Sequence, residues 1–246
     1  MRRRFFLEKF DADSATLHGD TAEHLGRVLR AEPGQLYELS DGQSVWLGRI
    51  ERVALSKRGD SRVEFALVEP IAACEPSLEI QLLISLVKFD RFEWCLEKAT
   101  ELGAALIVPL AAARTDKPLL VAAEKRRARW ERILIESAQQ ARRLRPPVMP
   151  DVSAPAVAFA GCEAACKIVL SERPDAPLIR GALASAAGVR TAALAIGPEG
   201  GWTDDEIAVA RSAGFAEASL GENILRTETA VLASLAVLRF AAEAPR

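Results

Sequence analysis

Ala192-Ala-Leu-Ala-Ile196 runs directly into Gly197-Pro-Glu-Gly-Gly201 and then into Trp202-Thr-Asp-Asp-Glu206. Five apolar residues in succession fit a strand covered on both faces, as in a parallel sheet sandwiched between helices. The adjacent glycines permit a tight turn and a close backbone approach. Thr203 with Glu206 three residues later is a helix-opening capping box, and Gly214 closes that helix. Strand, glycine turn and capped helix together are the repeating unit of an α/β sheet.

The same rhythm extends on both sides. Residues 80–87, 105–110, 167–171 and 218–220 are further apolar strand candidates. Asp90-x-x-Glu93 has the spacing of a second capping box, followed by Phe92, Leu96, Ala99 and Leu102 at helical spacing and by Gly103. A terminal helix is expected over 228–243, with Val231, Leu232, Leu235 and Leu238 on it.

The first ~70 residues read differently, as short strands separated by turns, with the hairpin 35–40, Asp41-Gly42, 44–50 and a strand at 62–68. A short helix is expected over 22–29 between the N-terminal strand and these, and the whole suggests a small barrel. Pro70 to Pro76 reads as a linker. Two domains are therefore expected, 1–72 and 76–246.

Composition excludes several classes. Of 246 residues, 50% are hydrophobic and 27% charged, with 15 Gly and 13 Pro, which rules out a collagen-like or largely disordered chain. No apolar run reaches the ~18–20 residues of a membrane span, and Met1 to Leu7 meets charge too early for a secretory signal. Four scattered cysteines make no disulfide framework, so a cytoplasmic location is expected. Two histidines, with Cys162 and Cys166 lacking a second pair, leave no metal site to expect. The net charge is −2, but 124–145 carries Lys125, Arg126, Arg127, Arg129, Arg132, Arg142, Arg143 and Arg145 against Glu124, Glu131 and Glu136. With Arg2, Arg3 and Arg4, this segment fits a polyanion held at one face; a solvated helix face accounts for it equally.

Ligands of open α/β sheets bind beyond the carboxyl ends of strands, so chemistry is sought in the 197–201 loop and in Leu220-Gly221-Glu222-Asn223. Neither loop has the lysine of a phosphate-binding P-loop nor the spacing of a dinucleotide fingerprint. Glu199 would repel a pyrophosphate, whereas a ligand with a cationic centre, read by backbone groups, fits. On periodicity alone a structural tight turn explains the glycines as well.

Gly197-Pro-Glu-Gly-Gly201 with Leu220-Gly221 and Ile224-Leu-Arg-Thr-Glu-Thr-Ala230 resembles the signature of RsmE-type 16S rRNA (uridine-N3) methyltransferases of the SPOUT superfamily. Arg3-Arg4-Phe5-Phe6, His24-Leu25-x-x-Val28-Leu29-Arg30, Lys88, Lys98-Ala-Thr-Glu-Leu-Gly103, Pro109, Gln140, Arg143 and Pro147 extend the resemblance over nearly the whole chain. It departs from the pattern at Ala113, where an acid is usual before Arg114, and at Thr115, where serine is common; 151–190 matches weakly.

The resemblance implies a PUA-like RNA-binding β-barrel, then a SPOUT-type α/β domain with a parallel sheet and a C-terminal deep trefoil knot. It implies S-adenosyl-L-methionine as cofactor, held by Ser171, Ile196, Gly197, Pro198, Glu199, Gly200 and Gly201 together with Leu220, Gly221, Leu225, Arg226 and Thr229. Arg226 would stabilise the uridine anion, and Glu228 would orient Arg226 or take the proton; a structural ion pair between the two is the bland alternative. RNA contacts are expected from Arg2, Arg3, Arg4, His24, Arg27 and Arg30, and from Lys88, Arg114, Arg142 and Arg143. The implied partner is 16S rRNA, within the assembled small ribosomal subunit, and the implied assembly is a homodimer, with no membrane and no metal. Two rivals are a SPOUT methyltransferase acting on another RNA site and a catalytically inactive RNA-binding assembly protein.

Overall fold

Strands in the computed structural model, which describes residues 3–56, 60–73 and 75–242, form two five-stranded sheets, each in its own compact unit. The first unit comprises 1–75 and 138–145, the second 76–137 and 146–246.

In the first unit, β1 (Arg4–Phe6) and β2 (Ser14–His18) precede a short helix, α1 (Gly19–Glu23), which continues as a π-type turn at His24–Val28. β3 (Leu36–Ser40), β4 (Val45–Ala54) and β5 (Arg62–Ile71) follow. The sheet order is β1-β3-β4-β5-β2, with β1 parallel to β3 and the other pairs antiparallel. Alternate residues of β5, Val63 and Phe65, enter a core with Phe5, Leu17, Leu25, Leu39 and Ile50. The hairpin turn is set by Asp41, whose Oδ1 accepts the backbone N–H groups of Gln43 (2.9 Å) and Ser44 (2.7 Å).

Two expectations fail in this unit. Pro70 belongs to β5, opposite Trp46, not to a linker. It is tolerated because β2 pairs with β5 only as far as Ala66, so beyond that point β5 has a neighbour on one side alone. Residues 138–145, expected in the second domain, pack with the first. Arg4 Nη1 donates to the Arg142 carbonyl (2.7 Å) and Ser40 Oγ to that of Leu144 (2.6 Å).

The second unit contains β6 (Glu79–Ser85), α2 (Phe89–Glu101), β7 (Ala104–Leu110), α3 (Lys117–Gln140, whose residues from 138 on belong to the first unit) and α4 (Pro155–Ala160). Then come β8 (Cys166–Leu170), α5 (Ile179–Leu183), β9 (Thr191–Ile196), α6 (Asp204–Ser212), β10 (Ala216–Ala218) and α7 (Thr227–Ala242). The sheet, order β10-β8-β9-β6-β7, is wholly parallel. Leu82, Ile84, Ile168, Leu194 and Ile196 face one core with residues of α2, α3 and α7. Leu83, Val169, Ala193 and Ala195 face another with Phe159 of α4 and Ile207 of α6. Burial on both faces is why these strands read as unbroken apolar runs.

The capping box expected at Asp90 and Glu93 does not form. α2 begins at Phe89, and its N-cap, Lys88, makes no side-chain cap bond. Glu93 instead receives Arg129 Nε (2.8 Å) and lies 3.5 Å from Arg126, both on α3. The last strand lies two residues earlier than expected, at Ala216–Ala218.

Candidate functional site

Three neighbouring strands, β10, β8 and β9, end at one edge of the parallel sheet, and the segments leaving them enclose a cavity of about 560 Å³. That volume lies in the range of small-molecule sites, at the carboxyl end of the sheet where α/β folds bind ligands. Leu170 and Ser171 line it after β8, Ile196 to Trp202 after β9, and Ser219 to Thr227 after β10.

The glycine loop owes its shape to contacts beneath it. Trp202 Nε1 donates to the Leu170 carbonyl (2.9 Å), and its ring packs edge-on against Phe159. A Cβ on Gly197 would lie 3.1 Å from that indole, so any side chain there requires the loop or the Trp202 ring to give by a few tenths of an ångström. Gly201 has φ +70°, a left-handed conformation, and its N–H closes the turn onto the Pro198 carbonyl (2.8 Å). The expected capping box of α6 forms, with Glu206 Oε2 accepting Thr203 N–H (2.9 Å). The other oxygen, Oε1, accepts the Ala113 N–H (2.8 Å), while Arg114 Nη1 donates to the Gly200 carbonyl (2.8 Å). The loop after β7 is thus fastened once to the glycine loop and once to the start of α6.

Of the expected cofactor residues, Ser171, Ile196, Gly197, Pro198, Glu199, Gly200, Gly201, Leu220, Gly221, Leu225 and Arg226 all line the cavity. Thr229 does not; Thr227 and Ala230 do, because α7 turns Thr229 outward to solvent. Arg226 is exposed at the cavity, whereas Glu228 is absent from its lining and lies 3.9 Å from Arg91. Glu228 Oε2 is buried with no hydrogen-bond partner among the described residues. It is therefore poorly placed to take a proton from a ligand in the cavity. Its carboxylate, together with burial, pushes the Cys95 thiol up to about 12, burial being the larger cause.

Four charged cavity residues were not among the expected site residues: Arg91, Glu172, Arg173 and Glu222. Arg91 is ion-paired to Glu199, and Arg173 to Asp204 at the start of α6. Burial raises the carboxyl pKa of Glu172. Arg91 follows Lys88 in the stretch after β6, so reading every strand-to-helix junction for charge would have found it.

The expected RNA contacts divide. Arg114 lines the cavity, and Lys88 is exposed just before α2. In the first unit, Arg30 is exposed, Arg3 Nη1 lies 3.3 Å from His24 Nε2, and Arg27 Nη2 donates to the Ser56 carbonyl (3.1 Å). Arg142 lies 3.6 Å from Glu38 Oε1, and Arg143 is half-buried. Arg4 is a correction: it is buried, with Nη2 2.9 Å from Glu38 Oε2, and so is committed to the fold rather than to phosphates. Arg2 lies outside the described residues. Carboxylates answer much of the basic 124–145 segment: Glu93 for Arg126 and Arg129, Glu131 and Asp151 for Arg127, Glu136 for Arg132, and Glu75 for Arg145. Among the described residues no cluster of His, Cys, Asp and Glu could hold a metal ion.

Residues 74–239 match the family model described as an RNA methyltransferase domain. The chain is 33% identical over 231 residues to the ribosomal RNA small subunit methyltransferase E of Synechocystis, covering 91% of this chain and 72% of that protein. Two solved structures superpose along its length, each 29% identical and each covering 98% of both chains. One is a ribosomal RNA small subunit methyltransferase E from Neisseria gonorrhoeae bound to S-adenosyl methionine, at a TM-score of 0.82. The other is a putative methyltransferase from Legionella pneumophila in complex with the same cofactor, at 0.84.

Proposed function

The chain belongs to the RsmE-type family of small-subunit ribosomal RNA methyltransferases, and from that premise we propose that it methylates N3 of a uridine in 16S rRNA using S-adenosylmethionine. The observation that carries this reading is the cavity at the ends of β8, β9 and β10, which a backbone-rich glycine loop and the exposed Arg226 both line. Its volume suits a nucleoside-sized ligand. Glycine at 197, where a Cβ would meet the Trp202 ring, lets the loop backbone lie close against that ring.

When bound, S-adenosylmethionine supplies a methyl group activated by a sulfonium centre. Ser171, the Ile196–Gly201 loop, Leu220-Gly221 and Leu225 would hold it. The uridine must lose its imide proton and carry negative charge on the base as N3 becomes a nucleophile. Arg226, exposed at the cavity and permanently cationic, stabilises that charge. Glu228, turned toward α2, does not take the proton in this reading; solvent at the open side of the cavity receives it.

The first unit is read as a PUA-like barrel that grips RNA through Arg3, His24, Arg27 and Arg30. The second is read as a SPOUT domain whose C-terminal segment forms a deep trefoil knot. Exposed ion pairs along α3 contribute little to stability and can be exchanged for phosphates. We further read the protein as a cytoplasmic homodimer acting on the assembled small subunit. The exposed apolar residues Leu232, Val237 and Phe240 of α7 support a partner surface there.

The test is mass mapping of 16S rRNA from cells lacking the protein, with and without add-back. A uridine that loses its methyl group in the deletion and regains it on complementation is the expected result. An unchanged methylation map overturns the reading.

A further inference from the structure

Arg91 stands in the first turn of α2 and faces two carboxylates that arrive from separate parts of the chain. Glu199, at the centre of the glycine loop, is ion-paired to it, and Glu228 Oε1, in the first turn of α7, lies 3.9 Å from its Nε. These carboxylates sit on the segments after β9 and after β10, which form two walls of the cavity. Two like charges gathered at one partly buried place repel each other unless a cation stands between them. The arginine and Glu228 side chains are 25% and 21% exposed and that of Glu199 46%, so solvent screens the Glu228 side of the group less than the Glu199 side. Among the described residues Glu228 Oε2 has no hydrogen-bond partner, and its neighbour one turn further along α2 is the buried, uncharged Cys95. Among the described residues Arg91 is the side-chain cation that answers Glu228, alongside the N-terminal end of α7 itself. Arg91 faces Glu199 through Nη1 and Glu228 through Nε, two nitrogens of one rigid planar fork that the single nitrogen of a lysine cannot both replace.

We propose that Arg91 is a positioning residue for methyl transfer, holding the glycine loop and the turn that bears Arg226 at the separation at which they close around the cofactor. It acts through Glu199 and Glu228 rather than on the reacting atoms, and it rests on the reading of this cavity as the S-adenosylmethionine site. Sequence reasoning passed over it because its partners lie more than a hundred residues away.

The full-length protein is titrated with S-adenosylmethionine by calorimetry, with melting curves to verify folding. Arg91→Met is expected to weaken affinity about tenfold, within the range of indirect coupling between sites. In turnover it should raise the cofactor KM more than it lowers kcat. Arg91→Lys is expected to weaken affinity about threefold, because it keeps the charge and loses the fork. Adding Glu228→Gln to Arg91→Met removes the surplus carboxylate and should restore about threefold, the coupling expected of contacting residues. A folded Arg91→Met with wild-type affinity, or a double variant no better than the single, overturns the proposal. If Arg91→Met does not fold, Arg91→Lys decides: unchanged affinity there overturns the bridging role. Wild-type protein that binds no S-adenosylmethionine overturns instead the reading of the cavity itself.

Discussion

Gly201 holds φ +70° on the cavity wall, where a β-branched side chain strains the backbone by about 1–3 kcal/mol. Gly201→Val is expected to leave the protein folded, since the loop lies at the surface end of β9, and to lower S-adenosylmethionine affinity at least about tenfold. Calorimetry on the folded variant checks this. Cys95 makes a second prediction, about pH. Its thiol titrates near 9 when unfolded and is held to about 12 in the fold, by burial first and by Glu228 second. The folded state thus keeps a proton that the unfolded state releases, so the associated stability is complete below pH 9 and disappears as pH rises from 9 towards 12. Urea unfolding between pH 7 and 10.5 should show a steeper alkaline loss in wild type than in Cys95→Ala. Equal slopes would remove Cys95 from the account. Residues such as these were unequally legible. Gly201 announces itself through its neighbours, whereas Arg4 sits among other arginines and nothing local distinguishes the buried one from those in solvent.

Strands covered on both faces and the capped helix α6 were readable because their signals are local: apolar runs, a Thr–Glu pair and a terminating glycine. α3 was not, because its buried residues Ala123, Trp130 and Leu134 are sparse among charges, so the segment reads as a basic tract first. The Asp90–Glu93 spacing misled for a related reason. A capping box is a local pattern, but Glu93 was claimed by Arg126 and Arg129 from another helix. The cavity-lining arrangement of α7 was legible only in part, since Thr229 and Ala230 differ by the phase of one helix. At this scale Glu206 should outweigh its partner Thr203. Thr203→Ala removes a cap worth about 1 kcal/mol. Glu206→Ala removes the reciprocal cap and also the charge-assisted hydrogen bond from the exposed Ala113 N–H, adding about 1 kcal/mol more. Urea denaturation should rank the two in that order; equal losses would mean that the Ala113 contact contributes nothing.

The division of the chain into units was legible at residue 75 and invisible at 138–145, because nothing in a run of arginines states which sheet it joins. The hydrogen bonds from Arg4 and Ser40 to the carbonyls of Arg142 and Leu144 make that segment an integral part of the first unit. Without it, Arg4 and Ser40 lose buried acceptors, each such loss costing about 1–3 kcal/mol. A fragment containing only 1–75 is therefore expected to melt non-cooperatively, while the same fragment with 138–145 joined by a flexible linker melts as a unit. Cooperative melting of 1–75 alone would contradict this. The interleaving also sets a clock on synthesis. The ribosome must translate through 76–137 before the piece that completes the first unit exists, a delay on the order of several seconds at ordinary elongation rates. During that interval the N-terminal sheet waits for its last segment while the opening stretch of the second unit emerges behind it, so the first unit can close only after part of the second has already been made.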